Sequence, residues 1–134
     1  MEMENMNTTT DTLTFTDLAR KAVEIADASP DFIYVPPPPL TTRGPRCAYA
    51  NPDGTGSCLF GQAMIALGAT GLARETTGGI INVAPLVGFV ETGTPADRML
   101  LRYALGSAQG NQDAGMPWGQ AVWPLRRFVS GASE

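Results

Sequence analysis

The sequence predicts a mixed α+β fold, mostly helical: about four helices packed with one short two-stranded β-hairpin around a central apolar helix. Three observations predict it. Apolar residues recur at helical spacing in several capped segments. Phe32–Val35 and Cys47–Ala50 are short runs rich in aromatic and β-branched residues. Between them in burial, Cys58–Leu67 is apolar on every side and has Gln62 as its one strongly polar side chain, which places it at the centre of the fold.

The first helix is expected over Asp17–Ala28, capped by Thr16 and stopped by Pro30. Phe15, Leu18, Ala22, Ile25 and Ala26 share one face, and Asp17, Arg20, Lys21, Glu24 and Asp27 the other. The two short strands are expected to pair, with Tyr34 opposite Tyr49. Pro36–Pro39 is a stiff polyproline connector that also suits an aromatic groove on a partner. Dense turn chemistry at 51–56 leads to Ser57 as the cap of the central helix, which Gly68 closes.

The stretch 69–81 reads as a Gly/Thr-rich loop, and Asn82 starts a short helix through Val90. Thr94, Pro95 and Asp97 open the longest helix, which ends near Asp113 with Gly115 beyond it. Its inner stripe is read as Leu100, Leu101, Ala104, Leu105, Ala108 and Gln112, while Gly106 and Gly110 leave a smooth strip on another side. A last helix from Pro117 carries Trp118, Ala121, Val122, Leu125, Phe128 and Val129 in phase across a kink at Pro124. Domain organisation follows: a mobile tail over 1–12, one globular domain over 13–130, and a short tail over 131–134.

Composition narrows function mainly by exclusion. The 134 residues carry a net charge of −4. Seven of the acids fall within residues 1–31, leaving the rest close to neutral. Nucleic-acid affinity rests on a basic footprint, so nucleic acid is not an expected partner. No apolar run reaches the length of a membrane span, and residues 1–12 lack the pattern of a signal peptide, so a cytoplasmic protein with no membrane partner is expected. With no histidine and two cysteines, no zinc site and no Ser-His-Asp or Cys-His machinery can be assembled. No metal and no cofactor is implied. Cys47 and Cys58 are expected to be reduced, as in a cytosolic chain.

Two constellations are candidates for chemistry. The turn containing Gly54, Gly56, Ser57 and Cys58 could present backbone N–H groups to an anion at a helix start and lower the Cys58 pKa. It lacks the spacing and the lysine of a P-loop, and the preferred reading is a tight turn, a serine cap and a buried small hydrophobe. The second is Gln109, Gln112, Asp113 and Trp118, read as a structural polar joint between two helices. There Asp113 is expected to accept the free N–H groups of Trp118 and Gly119. No catalytic set is expected.

Ser29-Pro30-Asp31-Phe32-Ile33-Tyr34, Cys47-x-Tyr49, Gly56-Ser57-Cys58-Leu59-x-Gly61-Gln62-Ala63, Leu67-Gly68 and Ala108-Gln109-x-x-Gln112-Asp113-x-Gly115-x-Pro117-Trp118-Gly119-Gln120-Ala121-Val122 together carry a resemblance. The chain resembles small proteins of bacteriophages that infect actinobacteria, the mycobacteriophage type. No activity is established for that group, so the resemblance implies an origin, and with it the host cell's cytoplasm, without naming site residues. The function expected is that of a phage-encoded accessory protein that binds a host or phage protein. The rival is a small-ligand or anion-binding protein, or an enzyme, using the Gly56-Ser57-Cys58 helix start.

Overall fold

A computed structural model describes residues 13–35, 49–50, 55–69 and 79–129. The expected tails, the proline run, Cys47, Gly54 and most of the Gly/Thr-rich stretch lie outside the described residues. In chain order the elements are α1 (Phe15–Ala28), α2 (Leu59–Ala66), α3 (Ile80–Val83) with a 3-10 turn (Ala84–Val87), α4 (Pro95–Asp113), α5 (Trp118–Ala121) and α6 (Trp123–Val129).

Local signals set the helix ends. Thr14 and Asp17 form a reciprocal capping box, so the cap is Thr14 and not Thr16, and α1 starts at Phe15, two residues before the expected Asp17. The same device, Thr94 with Asp97, opens α4 beside Pro95. Positive-φ glycines follow two helices, Gly68 after α2 and Gly115 after α4. The short helix expected to be capped by Asn82 and to run through Val90 is instead capped at Gly79, tightens to 3-10 geometry from Ala84 and ends at Val87.

The expected β-hairpin is not formed: the described residues contain no strand, only two isolated bridges, Thr14 with Val90 and Ala50 with Gly56. The α+β expectation is therefore corrected to an all-helical architecture over these residues. The described residues of both would-be strands pack on helices instead. The Phe32 carbonyl accepts from Trp118 N at 2.9 Å, the Pro30 carbonyl accepts from Gly119 N at 2.9 Å, and the Phe32 ring lies tilted against Trp118 at 4.6 Å. The Tyr49 carbonyl accepts from Ser57 N at 3.1 Å and passes directly over Gly61 of α2. A lone two-stranded hairpin is marginal in water, so these helix contacts win.

α2 is the centre of the core: Leu59, Phe60, Ala63 and Met64 are wholly buried. α1 packs on α2 and α6, and α4 packs on α6 and α3. The last helix divides at Val122 into α5 and α6 because Pro124, just inside α6, has no N–H to continue the ladder. Trp118, Ala121, Val122 and Leu125 nevertheless form one buried row across the break. Leu100, expected in the inner stripe of α4, is half exposed at 50%.

Candidate functional site

Two glutamines one turn apart organise the interior. Gln112, wholly buried, accepts the first N–H of α2 (Leu59 N) at 2.8 Å on Oε1 and donates from Nε2 to Asp113 Oδ1 at 2.8 Å. Gln109 accepts the first N–H of α3 (Ile80 N) at 2.7 Å and donates to the Tyr49 hydroxyl at 2.6 Å. Neither α2 nor α3 has a side-chain cap from its own N-cap residue. α4 supplies both caps through space, and each amide uses both of its ends.

Electrostatics follow from burial. Tyr49 has no solvent exposure, and desolvation pushes its phenol up to about 12, against the lowering effect of the Gln109 bond and with a smaller push from the Asp113 charge. Desolvation also raises the Asp113 carboxyl, and the Gln112 amide opposes that rise. Asp113 does not receive the N–H groups expected of it. Those of Trp118 and Gly119 go to the Phe32 and Pro30 carbonyls. Gln109, Gln112 and Asp113 are thus brought together, while Trp118 stands apart, its buried Nε1 without a hydrogen-bond partner among the described residues.

The turn before α2 is absorbed into the same interior. Ser57 Oγ shares a hydrogen bond with the Tyr34 hydroxyl at 2.9 Å, so it is not the helix cap. Its carbonyl accepts from Gln62 Nε2 at 3.1 Å. A Cβ on Gly56 would lie 2.5 Å from Gln62 Cα, which accounts for glycine there by packing. Cys58 is buried and disulfide-bonded, correcting the expectation of a reduced thiol and leaving no thiolate to act as a nucleophile. The N–H of Leu59, which an anion at this helix start would use, is held by Gln112.

The outer face of α4 differs from this closed interior. Met99 and Tyr103 are 70% and 77% exposed. They border an open, mostly apolar groove of about 420 Å³ that also touches Ile81, Arg102, Gly106 and Ser107. Arg102 is anchored at its edge by an ion pair with Glu91, whose carboxyl the Arg102 hydrogen bond lowers. Met99 and Tyr103 belong to none of the sequence motifs above. Their signal was present in the helical phase, since both fall opposite the buried row Leu101, Ala104, Leu105 and Ala108.

Among the described residues no cluster of acidic or cysteine side chains could hold a metal ion, and no helix is long and apolar enough to cross a membrane. No family model, curated protein or solved structure matches the chain.

Proposed function

We propose that the protein is a phage-type accessory protein that acts by binding another protein, with the outer face of α4 as its contact surface. The observation that supports this reading is the pair Met99 and Tyr103, exposed together beside an open apolar groove. Large apolar side chains held in water carry a free-energy cost that docking relieves, and an aromatic flanking a groove is a common anchor at interfaces. The near-neutral charge beyond residue 31 supports a protein partner over nucleic acid. The cytoplasm of a host cell is the proposed setting; the disulfide at Cys58 is the observation that weighs against it.

Affinity capture with the parent protein and with a Met99→Glu/Tyr103→Glu variant tests this. Both side chains are exposed, so the variant should melt like the parent. The expected result is a captured protein that disappears with the variant. Capture that is indifferent to the two substitutions would remove α4 from the reading.

A further inference from the structure

We infer that the partner seated on α4 is a second copy of this chain, paired antiparallel through α4 about a two-fold axis; this deepens, and rests on, the reading of that face as a protein contact surface. α4 is 19 residues long. Met99, Tyr103, Gly106 and Gly110 follow one another along its outer ridge at spacings of four, three and four. That is the seam spacing of a two-helix coiled coil. The order of sizes is specific: two large apolar side chains in the first half, two glycines in the second.

A Cβ built on Gly106 or on Gly110 meets nothing within 4 Å. Neither glycine is required by packing inside the protein, and both have backbone angles that a better helix former would accept. Antiparallel pairing gives them a use. It sets Tyr103 against the partner's Gly106 and Met99 against the partner's Gly110, and the two-fold axis repeats both contacts. Each large side chain then enters a slot where the facing backbone comes close. Parallel pairing would set large on large and leave a gap between the glycines. An isologous interface demands this reciprocity, and an unrelated partner helix does not.

Charge agrees with the same register. Arg98 and Asp113 are both exposed and lie near opposite ends of α4. Antiparallel pairing brings Arg98 to the end that carries the partner's Asp113 and the negative pole of the partner helix. Asp97, the acid adjoining Arg98, turns to the α4 N-terminus, where it accepts from Thr94 N at 3.2 Å.

Sedimentation equilibrium across the micromolar to high-micromolar range tests the pairing. The parent is expected to associate as a dimer. Gly106→Tyr should raise the dimer Kd at least about tenfold, since Tyr103 then faces a tyrosine, without lowering the monomer's thermal stability. Tyr103→Gly combined with Gly106→Tyr should restore association, because the exchange preserves antiparallel complementarity. The Met99→Gly/Gly110→Met exchange repeats the test one turn further out. A monomeric parent, an unaffected Gly106→Tyr variant, or exchanges that melt normally without restoring the dimer would each overturn the second copy as occupant. A monomeric parent that still captures another protein through Met99 and Tyr103 overturns the pairing and keeps the protein-binding reading. Neither association nor face-dependent capture would overturn both.

Discussion

Gln109 and Gln112 stand three residues apart on α4 and hold the first N–H of α3 and of α2, at 2.7 and 2.8 Å. One helix thus fixes where two others begin. Replacing Gln112 with Ala strands the buried Leu59 N–H, and replacing Gln109 strands Ile80 N–H. An unsatisfied buried donor costs roughly 1–3 kcal/mol, to which the lost side-chain packing adds. Each variant should therefore show a clear fall in melting temperature. Leucine, which fills the volume without an acceptor, should not rescue either position. Rescue by leucine would show that volume, not capping, is what the glutamines supply.

Tyr49 supplies a pH dependence. Its phenol is pushed up from the ordinary phenol value to about 12, chiefly by burial. A folded pKa above the unfolded one means that the contribution to stability is complete below the unfolded value. It is lost as pH rises through the interval up to the folded value. A rise of this size corresponds to roughly 2–3 kcal/mol. Unfolding free energies of the parent should fall over that interval, and those of Tyr49→Phe should fall less. At neutral pH the variant should be the weaker protein, because the Gln109 amide loses its acceptor. Parallel pH profiles for the two proteins would refute the assignment.

Asp113 behaves opposite to a salt-bridged carboxylate. Burial raises its pKa, so its contribution is fully present below the ordinary carboxyl range and is lost as pH rises through the folded value. At neutral pH the carboxylate is ionised, and its partial desolvation counts against the folded state. Asp113→Asn keeps an oxygen for the Gln112 amide and removes the charge. In protein dilute enough to be monomeric, the expected result is a melting temperature at neutral pH equal to or above the parent's, with the difference closing in acid. A lower melting temperature for Asp113→Asn at neutral pH would mean that the carboxylate has a stabilising partner.

The legible parts of the fold were those written in adjacent residues. Thr94 with Asp97 and Pro95 marks the start of α4, and the all-round apolar character of α2 marks its burial. Gln112 was legible as a buried amide because it extends an apolar stripe, but its partner Leu59 lies 53 residues away in sequence. No local pattern names such a partner. The hairpin failed for a related reason: the β-like composition of Phe32–Val35 serves stacking on Trp118 and a Tyr34 contact with Ser57. Proximity in the chain points Asp113 at the N–H groups of Trp118 and Gly119, whereas the carbonyls of Phe32 and Pro30 hold them.

Gly61 and Gly119 are required by close approach. A Cβ on Gly61 would lie 1.8 Å from the Tyr49 carbonyl oxygen, and one on Gly119 would lie 2.8 Å from Pro30 Cβ. In the first case the obstacle is backbone, which must move. Gly61→Ala should cost more than the roughly 1–3 kcal/mol of ordinary overpacking, and Gly119→Ala should fall within that range. Thermal melts of the two variants check the order. If Gly61→Ala melts like the parent, the segment at Tyr49 does not lie against α2.

The disulfide at Cys58 gives the last prediction. Cys58 is buried and bonded, and Cys47 is the one other cysteine in the chain. Within a single chain the composition allows only that pairing, and it would close a short loop. Chain-entropy arithmetic for such a loop gives about 3 kcal/mol of stabilisation. Denaturing alkylation without reductant should therefore label no cysteine and leave the mass of a single chain; after reduction it should label both. Reduction should also lower the melting temperature, and Cys58→Ala should lower it further, because the core loses buried volume as well as the bridge. Two alkylated cysteines in unreduced protein would establish a dithiol and restore the cytosolic expectation. A disulfide-linked mass of two chains would move the bridge between copies. In that case the dimer must be measured again under reducing conditions before any association is credited to α4.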